Sequence, residues 1–287
     1  MKVAILGTGL IGGSIGLAAR ARAGAHVSGW DPDPEVSARA RELGAIDEAA
    51  PDIAAAVAVA EAVFVAAPVG SLLDTLRDAL AATGPETVLT DVGSTKRIVV
   101  DAVSDPRFVG GHPLAGAELA GVEHARADLF DGAVWYLTPA PGGAGGVLHE
   151  RLRRLLVSFG ARPTAIDADA HDRLMATVSH LPHVLANLLV SQALAGAGDL
   201  DGPVGVGPSF RDATRVAGAN SAIWTDIYLA NGDRLIAAID DLVGRLADVR
   251  AALAAGDAGA ISAWNDRARA DRDALRCSGT LGERGED

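Results

Sequence analysis

The chain has 287 residues, 49% hydrophobic and 22% charged, enough apolar material for one large or two moderate domains and too much for a wholly disordered chain. Its 25 basic and 37 acidic residues give a net charge of −12, which argues against non-specific binding to nucleic acid or an anionic membrane. Cys277 is the sole cysteine, which excludes an intrachain disulfide and a cysteine metal cluster and points to a reducing, cytoplasmic setting; no run of 18 uninterrupted apolar residues suggests a membrane span.

Residues 1–166 alternate short apolar runs with helical patterns. Strands are expected at residues 3–6, 26–30, 61–67, 87–91, 108–110, 133–138 and 161–166, with helices at 11–22, 71–80 and 147–158 among the connections. Such alternation predicts a mainly parallel, doubly wound α/β sheet of the Rossmann-like kind. After Asp167 strand-like runs stop. Residues 170–194 form one long helical segment that Pro182 should kink. A Gly/Pro-rich turn at 198–209 precedes helices at 211–217, 221–231, 233–255 and 260–276, with Asp233 as an N-cap. The reading is therefore a dinucleotide-binding domain at 1–166, an all-α domain at 167–277, and a frayed tail at 278–287.

The first strand runs into Gly7-Thr8-Gly9-Leu10-Ile11-Gly12, a G-x-G-x-x-G loop between a strand and a helix. The first glycine allows the tight turn and the second lets backbone approach a pyrophosphate. The third lets helix and strand pack closely. The second strand ends at Trp30-Asp31, 19 residues after Gly12. An acid there accepts hydrogen bonds from ribose hydroxyls and repels a 2′-phosphate, so NAD is expected over NADP. Gly7, Gly9, Leu10, Ile11, Gly12 and Asp31 are the candidate cofactor residues.

Further segments follow later strands, where an open α/β sheet presents its ligand crevice. In Thr90-Asp91-Val92-Gly93-Ser94-Thr95-Lys96, Ser94 either faces a ligand or caps a helix beginning at Thr95, and local sequence favours the cap. In Gly110-Gly111-His112-Pro113-Leu114-Ala115-Gly116, His112 sits on a constrained loop after a strand; its ordinary pKa of about 6.5 suits proton transfer. His171, His180 and His183 share one helical segment. The spacing of His180 and His183 admits a metal, but Pro182 distorts the turn and no third ligand is obvious, so a hydrogen-bonding pair lining a cleft is preferred and no metal is expected. Arg211 and Arg215 are four apart, and two arginines at a helix start oppose its dipole. That placement suggests a dianionic ligand, the alternative being a surface salt bridge.

Together, residues 7–14, 91–96, 110–116, Ser179-His180-Leu181-Pro182-His183, 210–215, Trp224-Thr225-Asp226-Ile227 and Asn231 resemble the prephenate dehydrogenase family, with its arogenate and cyclohexadienyl relatives. The resemblance implies NAD-dependent oxidative decarboxylation of prephenate to 4-hydroxyphenylpyruvate in tyrosine biosynthesis. It makes His112 the base that accepts the ring hydroxyl's proton, and Ser94 a contact to the same hydroxyl that helps orient His112. Arg215 would bind a substrate carboxylate. His183 and Trp224 would line the pocket with His180 close by, and Glu118 and Asp212 would gate or tether it. Lys96 is assigned no chemical step.

The Gly207-Pro208-Ser209 lead into Phe210 departs from the family's glycine-rich pattern. No chorismate mutase or C-terminal regulatory domain is expected, and the last two helices are expected to build a homodimer. Arogenate remains an alternative substrate, with Glu118 a possible acceptor for its ammonium. Hydroxyacid and ketopantoate dehydrogenases use a lysine in the helical part, and no lysine follows Lys96. An imine reductase or a non-catalytic NAD sensor are the remaining alternatives.

Overall fold

The computed structural model describes residues 1–116, 119–139, 146–197 and 205–277. Glu118, the tail after Cys277 and residues 198–204 of the Gly/Pro turn lie outside them.

Eight strands form one sheet in the order β3-β2-β1-β4-β5-β6-β7-β8. They are β1 (Lys2–Leu6), β2 (His26–Trp30), β3 (Glu48–Ala49), β4 (Ala62–Val65), β5 (Val88–Asp91), β6 (Phe108–Pro113), β7 (Val134–Pro139) and β8 (Arg162–Ala165). β1 to β6 are mutually parallel; β7 pairs antiparallel with β6, and β8 runs parallel to β7. The order 3-2-1-4-5-6 is that of the Rossmann sheet. β3 was not expected, because two residues at a sheet edge are too short for any period to show.

Residues alternate across the sheet with period two. Val3 and Ile5 join a core that holds Phe64, Phe130, Trp135 and Phe159, while Ala4 and Leu6 join the opposite core with Val63, Val65, Leu72 and Leu76. α1 (Leu10–Ala23) and α6 (Val147–Ser158) contribute Ile15 and Leu156 to the first core; α4 (Val69–Ala82) and α5 (Arg97–Ala102) contribute Leu76 and Val99 to the second. α2 (Pro34–Glu42) and α3 (Ile53–Val57) start on Asp33 and Asp52, whose carboxylates accept from Glu35 N–H (2.9 Å) and Ala55 N–H (2.7 Å).

From Asp167 on the chain is helical. The Asp167 carboxylate accepts from the Asp169 and Ala170 N–H groups and starts α7 (Ala168–Met175). A π-helical turn, Ala176–His180, leads into α8 (Leu181–Gly196). The expected distortion at Pro182 takes this form: proline lacks the N–H that would bond four residues back, and the chain widens just before it. By length and composition 168–196 is apolar enough to cross a membrane; in this fold its first half carries buried His171, Asp172, His180 and His183. α9 (Pro208–Thr214), a 3-10 turn (Arg215–Gly218), α10 (Ser221–Ala230), α11 (Gly232–Ala255) and α12 (Ala258–Cys277) follow.

Asp233 is not an N-cap. α11 begins one residue earlier, with Asn231 accepting from Leu235 N–H, and the Asp233 side chain pairs with Arg97 instead. Packing divides the chain into two compact units, Met1–Leu235 and the residues from Ile236 on. The helices of 168–235 belong with the sheet because polar contacts tie them to it: Asp172 binds the start of α5, and Asp226 accepts from Gly70 N–H at 3.2 Å.

Candidate active site

The glycine loop is shaped by backbone crowding. Gly7 has φ +96°, and a Cβ there would sit 2.5 Å from the Ala66 carbonyl oxygen. A Cβ on Gly12 would lie 1.8 Å from the Gly7 carbonyl oxygen, so α1 can approach β1 only with glycine at that point. At Gly9 nothing lies within 4 Å, leaving open space beside the backbone. Gly9 is the N-cap of α1 and no side chain caps that helix. Its first N–H groups, from Leu10 and Ile11 on, therefore have no side-chain acceptor, the arrangement that receives phosphate. The Thr8 hydroxyl is buried with no partner. Asp31 accepts from Thr8 N–H at 2.8 Å and Asp33 N–H at 3.2 Å, which anchors its carboxylate beside the loop. An uncapped helix start, open space at Gly9, an orphaned hydroxyl and an anchored acid fit a dinucleotide.

The second cluster is built where β5 and β6 end. Asp91 and Lys96 are both fully buried and form an ion pair. The same carboxylate accepts from Gly93 N–H and Gly111 N–H, each at 2.9 Å, and so ties β6 to the loop after β5. Burial pushes the Lys96 ammonium pKa down, and Asp91 pulls it back up.

His112 follows directly. It lies inside β6, opposite Tyr136 of β7, and not on a loop after a shorter strand. The antiparallel pairing with β7 extends β6 through the Gly-Gly-His-Pro segment. His112 Nδ1 is 2.9 Å from His171 Nε2, and His171 Nδ1 is 2.8 Å from Asp172 Oδ1. Burial holds the His112 pKa well below its ordinary value, reinforced by His171, Lys96 and His180.

Ser94 does not cap a helix. α5 starts only at Arg97, and Asp172 on α7 accepts from the Lys96 and Arg97 N–H groups at 2.7 and 3.0 Å. The cap comes from 76 residues away, so Ser94 is half-buried in the loop after β5 and unused as a cap.

The remaining histidines gather on the helical side. His180 is fully buried, its Nδ1 3.2 Å from Asn231 Nδ2, which also donates to the Asp172 carbonyl at 2.8 Å. Burial brings the His180 pKa down to about 4. His183 stacks on Trp224 and bonds the Tyr228 hydroxyl through Nδ1. Burial also lowers its pKa. Nε2 of His180 and Nε2 of His183 are both buried and without a partner, the condition of groups waiting for a polar ligand. No three His, Cys, Asp or Glu residues gather as metal ligands among the described residues.

The two arginines are not as expected. Arg211 lies in the last turn of α9, where its charge suits the dipole, and Arg215 opens the following 3-10 turn. Both are exposed; Arg211 donates to the Val206 carbonyl at 3.2 Å, while the Arg215 turn packs against α8, which carries His183. Glu118 lies outside the described residues.

Asp172, Tyr228 and the Asp91–Lys96 pair carried no role in the sequence reading. The signal available was an acid next to a histidine early in an otherwise apolar helix. A separate cleft between α11 and α12, lined by Val249, Ile261 and Trp264, belongs to the second unit alone and holds no histidine.

Both halves of the chain match one family of known proteins. The family model for the prephenate dehydrogenase nucleotide-binding domain matches residues 15–163, and that for the prephenate dehydrogenase dimerization domain matches 167–264. A prephenate dehydrogenase of Bacillus subtilis is 36% identical, covering 96% of this chain and 76% of its own. The structure of a prephenate dehydrogenase from A. aeolicus, in complex with hydroxyphenyl propionate and NAD+, superposes with TM-score 0.86 at 28% identity, covering 96% of this chain and 98% of that one. Synechocystis arogenate dehydrogenase gives TM-score 0.81 at 26% identity, covering 96% and 100%. With an uncapped glycine loop, a histidine at the end of β6 and both halves of the chain matched, this protein belongs to the prephenate dehydrogenase family.

Proposed function

We propose that the protein uses NAD to oxidise and decarboxylate prephenate to 4-hydroxyphenylpyruvate, with His112 as the base. The carrying observation is His112 itself, at the C-terminal end of β6, with one ring nitrogen engaged by His171 and the other left for substrate. Gly7, Gly9, Leu10, Ile11 and Gly12 would hold the pyrophosphate of NAD, and Asp31 its adenosine ribose. Bound there, NAD supplies the acceptor for the hydride that leaves the ring carbinol carbon.

The chain's own residues handle protons and charge. His112 takes the ring hydroxyl's proton as that carbon becomes a ketone. The bond to the ring carboxylate then breaks, CO2 leaves, and its electron pair makes the ring aromatic. His112 returns the proton to the phenol oxygen. Aromatisation drives the step, so the protein's work is mostly positioning. Arg215 binds a substrate carboxylate, and His180, His183 and Trp224 line the pocket. Ser94 contacts the reacting hydroxyl, and Glu118 and Arg211 are further substrate contacts.

Domain organisation is read as 1–166 for cofactor and 167–277 for substrate and dimerisation. The two family models, one ending at residue 163 and the other beginning at 167, support that division in sequence, while by packing the helices of 168–235 join the sheet. A homodimer is supported by exposed Val243, Leu246, Leu253 and Trp264 on α11 and α12. The single cysteine is in keeping with a cytoplasmic enzyme.

The test is NADH formation, followed by absorbance, with prephenate or arogenate and with NAD or NADP. Turnover of prephenate with NAD is expected. Turnover of arogenate alone would keep the mechanism and revise the pocket, and no turnover by folded, NAD-binding protein would overturn the reading.

A further inference from the structure

We propose that Asp172 and His171 are positioning residues for the reaction. Acting through the His171 ring, the Asp172 carboxylate holds His112 as its Nδ1–H tautomer and leaves the Nε2 lone pair for the substrate hydroxyl. This rests on His112 being the base.

A carboxylate only accepts hydrogen bonds. Asp172 accepts from Lys96 N–H, Arg97 N–H and, at 2.8 Å, His171 Nδ1. His171 Nδ1 therefore carries a proton, and in the neutral ring Nε2 is an acceptor. Its neighbour at 2.9 Å is His112 Nδ1, which must then donate. In neutral His112 the remaining nitrogen, Nε2, has no proton and a free lone pair. The direction of every bond follows from the anion at the end of the chain.

The anion is well secured. Asp172 and His171 are both fully buried, and three donors converge on one carboxylate. Burial alone would raise the Asp172 pKa, but the bonds from His171, Arg97 and Lys96 outweigh it and hold it below the ordinary value. A purely structural role, capping α5, would need the acceptor oxygens but not the polarity of the imidazole chain. That difference makes the two roles separable.

In Asp172→Asn one carboxylate oxygen becomes an amide donor; turned to His171 it takes the place of Oδ1, so the carbonyl still accepts from Arg97 N–H but the bond from Lys96 N–H is lost. His171 then becomes an Nε2–H donor, and His112 is left with its proton on the wrong nitrogen. The variant is expected to lose at least about 100-fold in kcat, up to the roughly 10,000-fold lost when a triad's orienting acid is neutralised. Both KM values should stay within about threefold, an expectation for groups that orient a base without touching ligand. Nitrogen NMR of 15N-histidine-labelled protein, assigned by loss of the His112 signals in His112→Asn, should show Nδ1–H in the wild type and Nε2–H in Asp172→Asn.

A second pair of variants covers the case in which Asp172→Asn fails to fold. His171→Gln can donate its amide to Asp172 and accept from His112 Nδ1–H, whereas His171→Leu can do neither. The glutamine is expected to keep kcat within about tenfold of wild type and the leucine to lose about 100-fold. Equal kcat for the two, or a wild-type kcat and Nδ1–H signature in Asp172→Asn, would overturn the proposal and leave His112 as base. An undiminished kcat in His112→Asn would instead remove the base itself.

Discussion

The His183 ring lies flat against the Trp224 indole, with centroids 3.6 Å apart and planes within 4°. The stack joins α8 to α10 and turns His183 Nδ1 to the Tyr228 hydroxyl, leaving Nε2 unpartnered. Aromatic contacts of this kind contribute about 0.5–1.5 kcal/mol beyond buried area. Trp224→Ala should therefore raise KM for prephenate by about 2- to 12-fold, with a smaller effect on kcat. Trp224→Phe should retain most of the affinity. Steady-state kinetics on both variants checks this; an unchanged KM in Trp224→Ala would remove the stack from the substrate pocket.

His112 is held below its ordinary pKa by loss of solvent and by His171, Lys96 and His180. It stays neutral, and able to accept a proton, at pH values where an exposed histidine is already charged. The acid limb of kcat/KM should thus fall below about pH 6.5, activity being lost only as pH drops through the lowered pKa. His112→Asn should cut kcat by about 100-fold or more, abolish that limb and leave NAD binding unchanged. An acid limb with its midpoint above about pH 6.5 would contradict the assignment.

The roles proposed for Arg211 and Arg215 are separated by kinetics. Arg211 spends a guanidinium donor on the Val206 carbonyl in its own loop. Arg215 opens the turn against α8, and a charge-assisted bond to a carboxylate is worth about 1.5–3 kcal/mol. Arg215→Ala should raise KM for prephenate by about 10- to 150-fold. Arg211→Ala should raise it less than about threefold, since only a weak or indirect contact is lost. The reverse ranking would move the carboxylate contact to Arg211.

Asp31 holds the glycine loop through Thr8 N–H and is the residue proposed to receive the adenosine ribose. Asp31→Ala should weaken NAD binding by about tenfold or more, the loss of one charge-assisted bond. It should also narrow the NAD-to-NADP ratio by removing the charge that repels a 2′-phosphate. Cofactor titrations by fluorescence give both numbers, and an unchanged ratio would locate NAD preference elsewhere.

Lys96 has a structural consequence even without a chemical step. Lys96→Met would leave the Asp91 carboxylate buried without its cation. Breaking a buried pair from one side costs about 3–5 kcal/mol, which lowers Tm by about 10 °C in a chain of this size. Asp91→Asn added to Lys96→Met should recover part of the loss. Thermal denaturation of the two proteins measures it.

The chain's local patterning carried the architecture. Alternation of Val3 and Ile5 with Ala4 and Leu6, the glycines at 7, 9 and 12, and Asp31 after β2 all involve near neighbours, whose spacing alone dictates strand, turn and helix. The histidines of the site were visible as residue types for the same reason. Their working arrangement was not. That α5 is capped by Asp172 and not by Ser94, and that His112 lies within a strand held by β7, both depend on segments far apart in sequence. So do the partners of His171 and the burial of Lys96. A period reports which face of an element is apolar. It does not report which donor meets which acceptor when those faces close, and proton placement and pKa in this site follow from that meeting.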